Sequence, residues 1–121
     1  MDEAGERLTE RLRAWLADHQ SVHEKTMFGG RVFMVNGKLL VSAGGDGDLL
    51  VRVDPQRSDE LLAVDGTRQA EMGGRSMGPS WLLIEADVVA TDQDLTFWMD
   101  VALSYNGALG ARERRRQRRS K

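Results

Sequence analysis

The sequence predicts an α+β domain of order α-β(3)-α-β(2)-α, a mostly antiparallel sheet with its helices packed on one face. Three features predict it. Leu8, Leu12, Trp15 and Leu16 recur at helical period near the N-terminus. Arg31–Val35 and Lys38–Ser42 are apolar runs that flank Asn36-Gly37, the strongest two-residue hairpin signal. Leu95, Trp98, Ala102 and Tyr105 form a second helical stripe behind a capping threonine, Thr91.

Each element has its local reason. The first helix carries Glu, Arg and Thr between its leucines and is expected to end near His19 or Gln20, before the polar stretch Ser21–Lys25. Asn and Gly tolerate the positive φ that both central residues of a type I′ turn need, so residues 31–42 form a hairpin. Gly44-Gly45-Asp46-Gly47 makes the next turn and Asp48–Val53 the third strand. Strand side chains alternate, so Leu49, Val51 and Val53 share one face while Leu50 and Arg52 take the other. Asp54-Pro55 opens a short helix that runs to about Val64, with proline at the first helical position. Arg68–Met72 is a fourth strand. Gly73–Pro79, with three glycines and a proline, reads as an irregular loop, and Trp81–Ala86 as a buried fifth strand. Asp94 completes an acidic capping box with Thr91, and Gly107 or Gly110 is expected to end the last helix.

At 121 residues the chain fits one domain over residues 1–110, followed by a disordered arginine-rich tail over 111–121. The absence of cysteine excludes disulfides and thiolate metal ligands. No run approaches the roughly 18 apolar residues of a membrane span, and the acidic start MDEAGERLTERL is no secretory signal. A cytoplasmic protein without membrane contact is therefore expected. The net charge of −2 hides an asymmetry. Residues 111–121 hold seven basic side chains and one acidic (+6), whereas residues 1–110 hold ten basic and eighteen acidic (−8).

Catalytic patterns are missing. His19 and His23, the only histidines, have i, i+4 spacing but no third ligand and no HExxH pattern, so a surface or capping role is expected. No serine sits in a GxSxG elbow. Asp46 with Asp48, Asp59 with Glu60, and Asp92 with Asp94 fall in turns or at helix starts, where acids serve capping and solubility rather than acid–base chemistry. Asp46-Gly-Asp48 lacks the twelve-residue ligand pattern of a calcium loop. No enzyme activity, cofactor or metal is expected. The glycine runs Met27-Phe28-Gly29-Gly30 and Gly73–Pro79 lead into strands, unlike phosphate-binding loops, which lead into helices. They permit tight backbone crossings, or they frame a small-molecule or peptide contact with Arg75 as an anion donor.

These residues resemble a known family. Met27–Gly37 (MFGGRVFMVNG), Leu49–Pro55 (LLVRVDP), Gly74–Trp81 (GRSMGPSW) and Asp94-Leu-x-x-Trp98 are similar to the N-terminal domain of the TfoX/Sxy family over roughly residues 10–109. The resemblance implies an α-β(3)-α-β(2)-α fold and a regulatory, non-enzymatic role. The best-known members act in natural competence as co-activators alongside the cyclic-AMP receptor protein. It implies a protein partner, such as a transcription factor, and points to Met27, Phe28, Gly29, Gly30, Arg52, Gly74, Arg75 and Met77 as family-motif positions that serve the fold or binding. Those regulators carry a C-terminal helical domain, where this sequence has only its basic segment.

That segment offers a second class of function. Arg112, Arg114, Arg115, Arg116, Arg118 and Arg119 would neutralise phosphates in a salt-dependent way without reading sequence, or would form a solvated end. No aromatic accompanies them, and the −8 body repels a polyanion. An open sheet edge would allow a homodimer as well as a monomer.

Overall fold

The computed structural model describes residues 2–27 and 29–119. Helix α1 (Glu3–Trp15) precedes strands β1 (Val22–Met27), β2 (Gly30–Val35), β3 (Lys38–Ala43) and β4 (Leu49–Arg52). A 3-10 turn at Pro55–Arg57 leads into α2 (Ser58–Leu62). Then come β5 (Thr67–Gln69), the two-residue strands β6 (Glu71–Met72) and β7 (Arg75–Ser76), β8 (Trp81–Ile84) and the long helix α3 (Asp92–Arg119). Six strands form one antiparallel sheet in the order β1-β2-β3-β4-β8-β5, and β6 and β7 form a separate two-stranded arm.

One face of this sheet is the core. Phe33, Val41, Val51, Leu82 and Ile84 point to it, together with Leu8 and Leu12 of α1, Leu61 of α2 and Leu95, Trp98, Met99 and Ala102 of α3. A bulge between Phe33 and Met34 leaves Leu40 out of the ladder. Leu40 and Val41 are consequently both buried in that core, at 1% and 0% exposure. Asn36 and Gly37 take φ of 55° and 77°, as the expected type I′ turn requires.

Polar contacts fix the helices to the sheet. Thr91 caps α3 as expected: the Asp94 N–H donates to Thr91 Oγ1 (3.1 Å), and the hydroxyl donates back to Asp94 Oδ2 (2.9 Å). The Arg11 guanidinium donates to the carbonyls of Val89 (2.7 Å) and Thr91 (3.2 Å), tying α1 to the start of α3. Arg13 donates twice, at 2.7 Å, to the Glu24 carboxylate of β1. Midway along α3, buried Asn106 donates through Nδ2 to the Val35 carbonyl (3.0 Å).

Four expectations are corrected. The first helix stops at Trp15, so His19 and His23 share no helix: His19 stacks on Trp15 at 5.7 Å, and His23 lies in β1. The polar stretch Ser21–Lys25, to which the sequence assigns no element, falls largely in that strand, β1. Among the described residues no strand pairs with its outer edge, and most of its side chains are exposed, so no apolar alternation marks it. The fourth strand is broken at Ala70, and Gly73–Pro79 is no irregular loop but contributes β7 and the turn before it. Finally, α3 passes Gly107 and Gly110 and continues to Arg119, so the segment expected to be a disordered tail is helical. Each interior glycine costs about 1 kcal/mol of helix propensity. Docking works against this cost: beyond both glycines, Glu113 meets Lys38 of the hairpin at 2.8 Å, and arginines near a helix C-terminus suit its dipole.

The Arg13 hydrogen bond holds the Glu24 carboxyl below its ordinary value of 4.5. A depressed carboxylate stabilises the fold above its unfolded pKa, and this contribution disappears as pH falls through the folded value. Glu24→Gln should therefore melt below the native chain at pH 7, and thermal melts from pH 7 to 3 should show the gap closing below about pH 4.5.

Candidate functional site

The central strands are apolar on both faces. Opposite the core, Val32, Ser42, Leu50 and Leu83 stand in one row across β2, β3, β4 and β8, each directly opposite the next. Among the described residues no helix covers this face; α1, α2 and α3 all contribute to the single core on the other side. What covers it is the β6–β7 arm. At Ala70 the chain leaves the sheet: its N–H donates to the Trp81 carbonyl (2.8 Å), while its own carbonyl accepts from the Met77 N–H (2.8 Å). Gly73 and Gly74, at φ of 60° and 79°, form the tight turn that lets two-residue strands pair.

Arm and sheet leave a groove of about 400 Å³ between them. Its floor is Leu39, Ser42, Leu50 and Leu83, and its walls are Ala70, Met72, Met77 and Trp81. Met72 is 47% exposed, a large value for methionine packed beside an apolar floor. Leu39, Leu50 and Leu83 are only half-buried. A concave apolar surface with a few polar groups at its margin is the usual form of a binding site.

The groove has an acid at one end of its lining and an arginine just outside the other. Asp48, at one end, accepts from the Ala86 N–H (3.1 Å) and lies 3.9 Å from Arg68, and burial raises its carboxyl above the ordinary range. Arg52 stands beside Trp81, its cross-strand partner, toward the other end. The Arg52 guanidinium carbon is 5.3 Å from the centre of the Trp81 ring and 5.9 Å from that of Tyr105 in α3, within cation–π range of both. Among the described residues its buried Nε has no hydrogen-bond partner.

A second cleft, of about 480 Å³, lies between α1 and the β1–β2 turn. It is slightly larger, but it is lined by Glu6, Glu10, Arg13 and Arg31, and both arginines already pair with Glu24. The sheet groove has the better binding chemistry. No group of three or more His, Asp or Glu that could hold a metal occurs among the described residues, and no described helix is long and apolar enough to cross a membrane.

The family-motif positions are only partly brought together. Gly30 and Met77 line the groove, and Arg52 contacts its wall through Trp81. Met27 is exposed at the end of β1, Gly29 and Gly74 occupy turns, and Arg75 is exposed on the arm; none of these four lines the groove. Phe28 lies outside the described residues, as do the side chains of Arg118 and Arg119. Arg112, Arg114, Arg115 and Arg116 are exposed on α3. The floor residues Leu39, Leu50 and Leu83 were not singled out by motif. The available signal was the continuous apolar run of WLLI and LLV, which marks strands that bury both faces.

A model of the TfoX N-terminal domain family matches residues 14–105. A crystal structure of a protein from Pseudomonas syringae shares the fold, with a TM-score of 0.55 at 11% identity over 84% of this chain and 96% of that one. Among curated proteins none matches this chain.

The motif glycine at the groove margin has a packing reason. A Cβ on Gly30 would run into the backbone carbonyl of Ala43, which cannot yield as a flexible side chain would. Gly30→Ala should lower the stability measured by urea denaturation by about 1–3 kcal/mol, the usual range for overpacking.

Proposed function

We propose that the chain, which belongs to the TfoX N-terminal domain family, is a non-enzymatic regulatory or adaptor domain that acts by binding another protein through the groove on the helix-free face. The observation that carries this reading is the half-buried state of Leu39, Leu50 and Leu83 on the helix-free face, under an arm too short to cover them. Monomeric domains rarely leave large apolar patches open unless the patch is used. Two methionines on the wall fit this role, since thioether side chains adapt to a partner's shape. A role in transcription regulation, within the cytoplasm, follows from family resemblance and is part of the proposal.

A second reading has one observation in its favour. Because α3 is continuous, Arg112, Arg115 and Arg116 fall within an arc of about 100° on one helix face, a cationic stripe rather than a random coil. This reading makes the stripe a phosphate-contacting surface. It requires binding to duplex DNA that weakens steeply between about 50 and 200 mM salt and is lost when residues 111–121 are removed. Binding unchanged by that truncation would end it.

The main reading is tested by one charge in the groove. Leu50→Asp and Leu83→Asp place a carboxylate on the floor, where the side chains are only half-buried and the fold should tolerate it. Immobilised native protein should retain a discrete partner from host extract that both variants lose, while Arg7→Ala on the far surface of α1 retains it. Retention that is identical in native chain and groove variants would contradict the reading.

A further inference from the structure

Arg52 is the one feature of the groove region that packing does not explain. Among the described residues no carboxylate forms an ion pair with it. Its Nε is buried and unpartnered, and its guanidinium is held at 5.3 and 5.9 Å from the centres of two aromatic rings. Leaving a buried donor unmet is unfavourable, and more so for a charged group. An arginine held against two rings, with its buried Nε unmatched among the described residues, is set to receive a planar anion.

Asp48, Leu50 and Arg52 alternate onto the same face along β4 and the residue before it, so their side chains lie in line. The Cα atoms of Asp48 and Arg52 are about 13 Å apart along the strand, the rise of four extended residues, with Leu50 between them. The groove is thus polarised: acid lines one end, aliphatic side chains form the floor, and just beyond the Trp81 wall stands an arginine that no described carboxylate pairs with.

We infer that the groove reads an extended partner segment in which an aspartate or glutamate stands beside a bulky aliphatic residue, with the carboxylate on Arg52 and the aliphatic side chain on Leu39, Leu50 and Leu83. This rests on the groove being the protein-binding surface proposed above. Charge sets the direction of the segment, because its acid is repelled at the Asp48 end and attracted at the Arg52 end. Charge also favours a peptide over a nucleic acid here, since the groove carries Asp48 and Glu71 on its lining and residues 1–110 have a net charge of −8. A single acidic side chain can be matched by one arginine, whereas a phosphate backbone would meet these carboxylates.

The test is a selection of random displayed dodecapeptides on the full chain, followed by fluorescence polarisation of the enriched sequences. The recovered peptides should be enriched in Asp or Glu adjacent to Leu, Ile, Val, Met or Phe. Changing that acid to its amide should weaken binding roughly tenfold, the loss of one charge-assisted contact. On Arg52→Gln the same change should matter less than about twofold. Arg52→Lys, which keeps the charge but not the planar fork, should fall between, and thermal melts of both variants establish that the fold is intact. Apolar peptides without acidic enrichment that still depend on Leu50 would overturn this inference and leave the groove as a docking surface. Peptides indifferent to Leu50→Asp would remove both. A labelled oligothymidine bound by the native chain and lost on Arg52→Gln would overturn the peptide class and reassign the cleft to nucleic acid.

Discussion

The sheet is apolar on both sides, and the rest of the structure is a response to that. β3, β4 and β8 place Val41, Val51 and Leu82 on one face and Leu39, Leu50 and Leu83 on the other. Covering a leucine fully is worth roughly 1.5–3 kcal/mol. The three helices cover the first face, where the core side chains are almost without exposure. The second face has only the ten residues or so around the β6–β7 arm, and its leucines remain half-open. The free energy left unrealised there is available to whatever seals the groove.

The connections make sense in the same terms. α1 and α3 must stay on one face together, and Arg11 fastens them to each other through the carbonyls of Val89 and Thr91. Asn106 and Glu113 keep the β2–β3 hairpin against α3, which is why that helix can pass two glycines without ending. On the other face, Ala70 serves two ladders at once, passing the chain from the main sheet into the arm. Glycine at 73 and 74 then allows the arm to reverse within two residues. The arm is held at its root by the two Ala70 hydrogen bonds. Arg52 sits where the two faces meet, touching Trp81 of the groove and Tyr105 of α3.

Much of this was legible in the residues. Periodicity located α1 and the inward stripe of α3, and Asn36-Gly37 fixed the hairpin with its turn type. Thr91 and Asp94 announced the start of α3, and the motifs around Gly30 and Gly74 carried the family. What was illegible has physical causes. β1 is an edge strand made of VHEKTM, half of it charged or titratable; it pairs through its backbone, so its side chains carry no pattern. The arm is built by glycine turns and hydrogen bonds at Ala70, which look the same in sequence as a loop. The end of α3 was misplaced because glycine was read as a stop, when tertiary contacts at Asn106 and Glu113 override propensity. The groove was hidden because a run such as WLLI states that both faces are apolar without stating what covers the second. Arg52 was visible as a motif position, but that no described carboxylate pairs with it is a property of the folded surroundings alone.

The central claim is that the helix-free face is where a partner binds, and methyl NMR tests it most directly. Protein labelled at leucine and methionine methyls gives separate probes for the groove, through Leu39, Leu50, Leu83, Met72 and Met77, and for the rest of the chain, through residues such as Met27 and Leu109. Spectra in clarified host extract, compared with buffer, should show shifts or broadening concentrated at the five groove residues. Spectra unchanged at the groove, or perturbed at Met27 and Leu109 instead, would contradict the account.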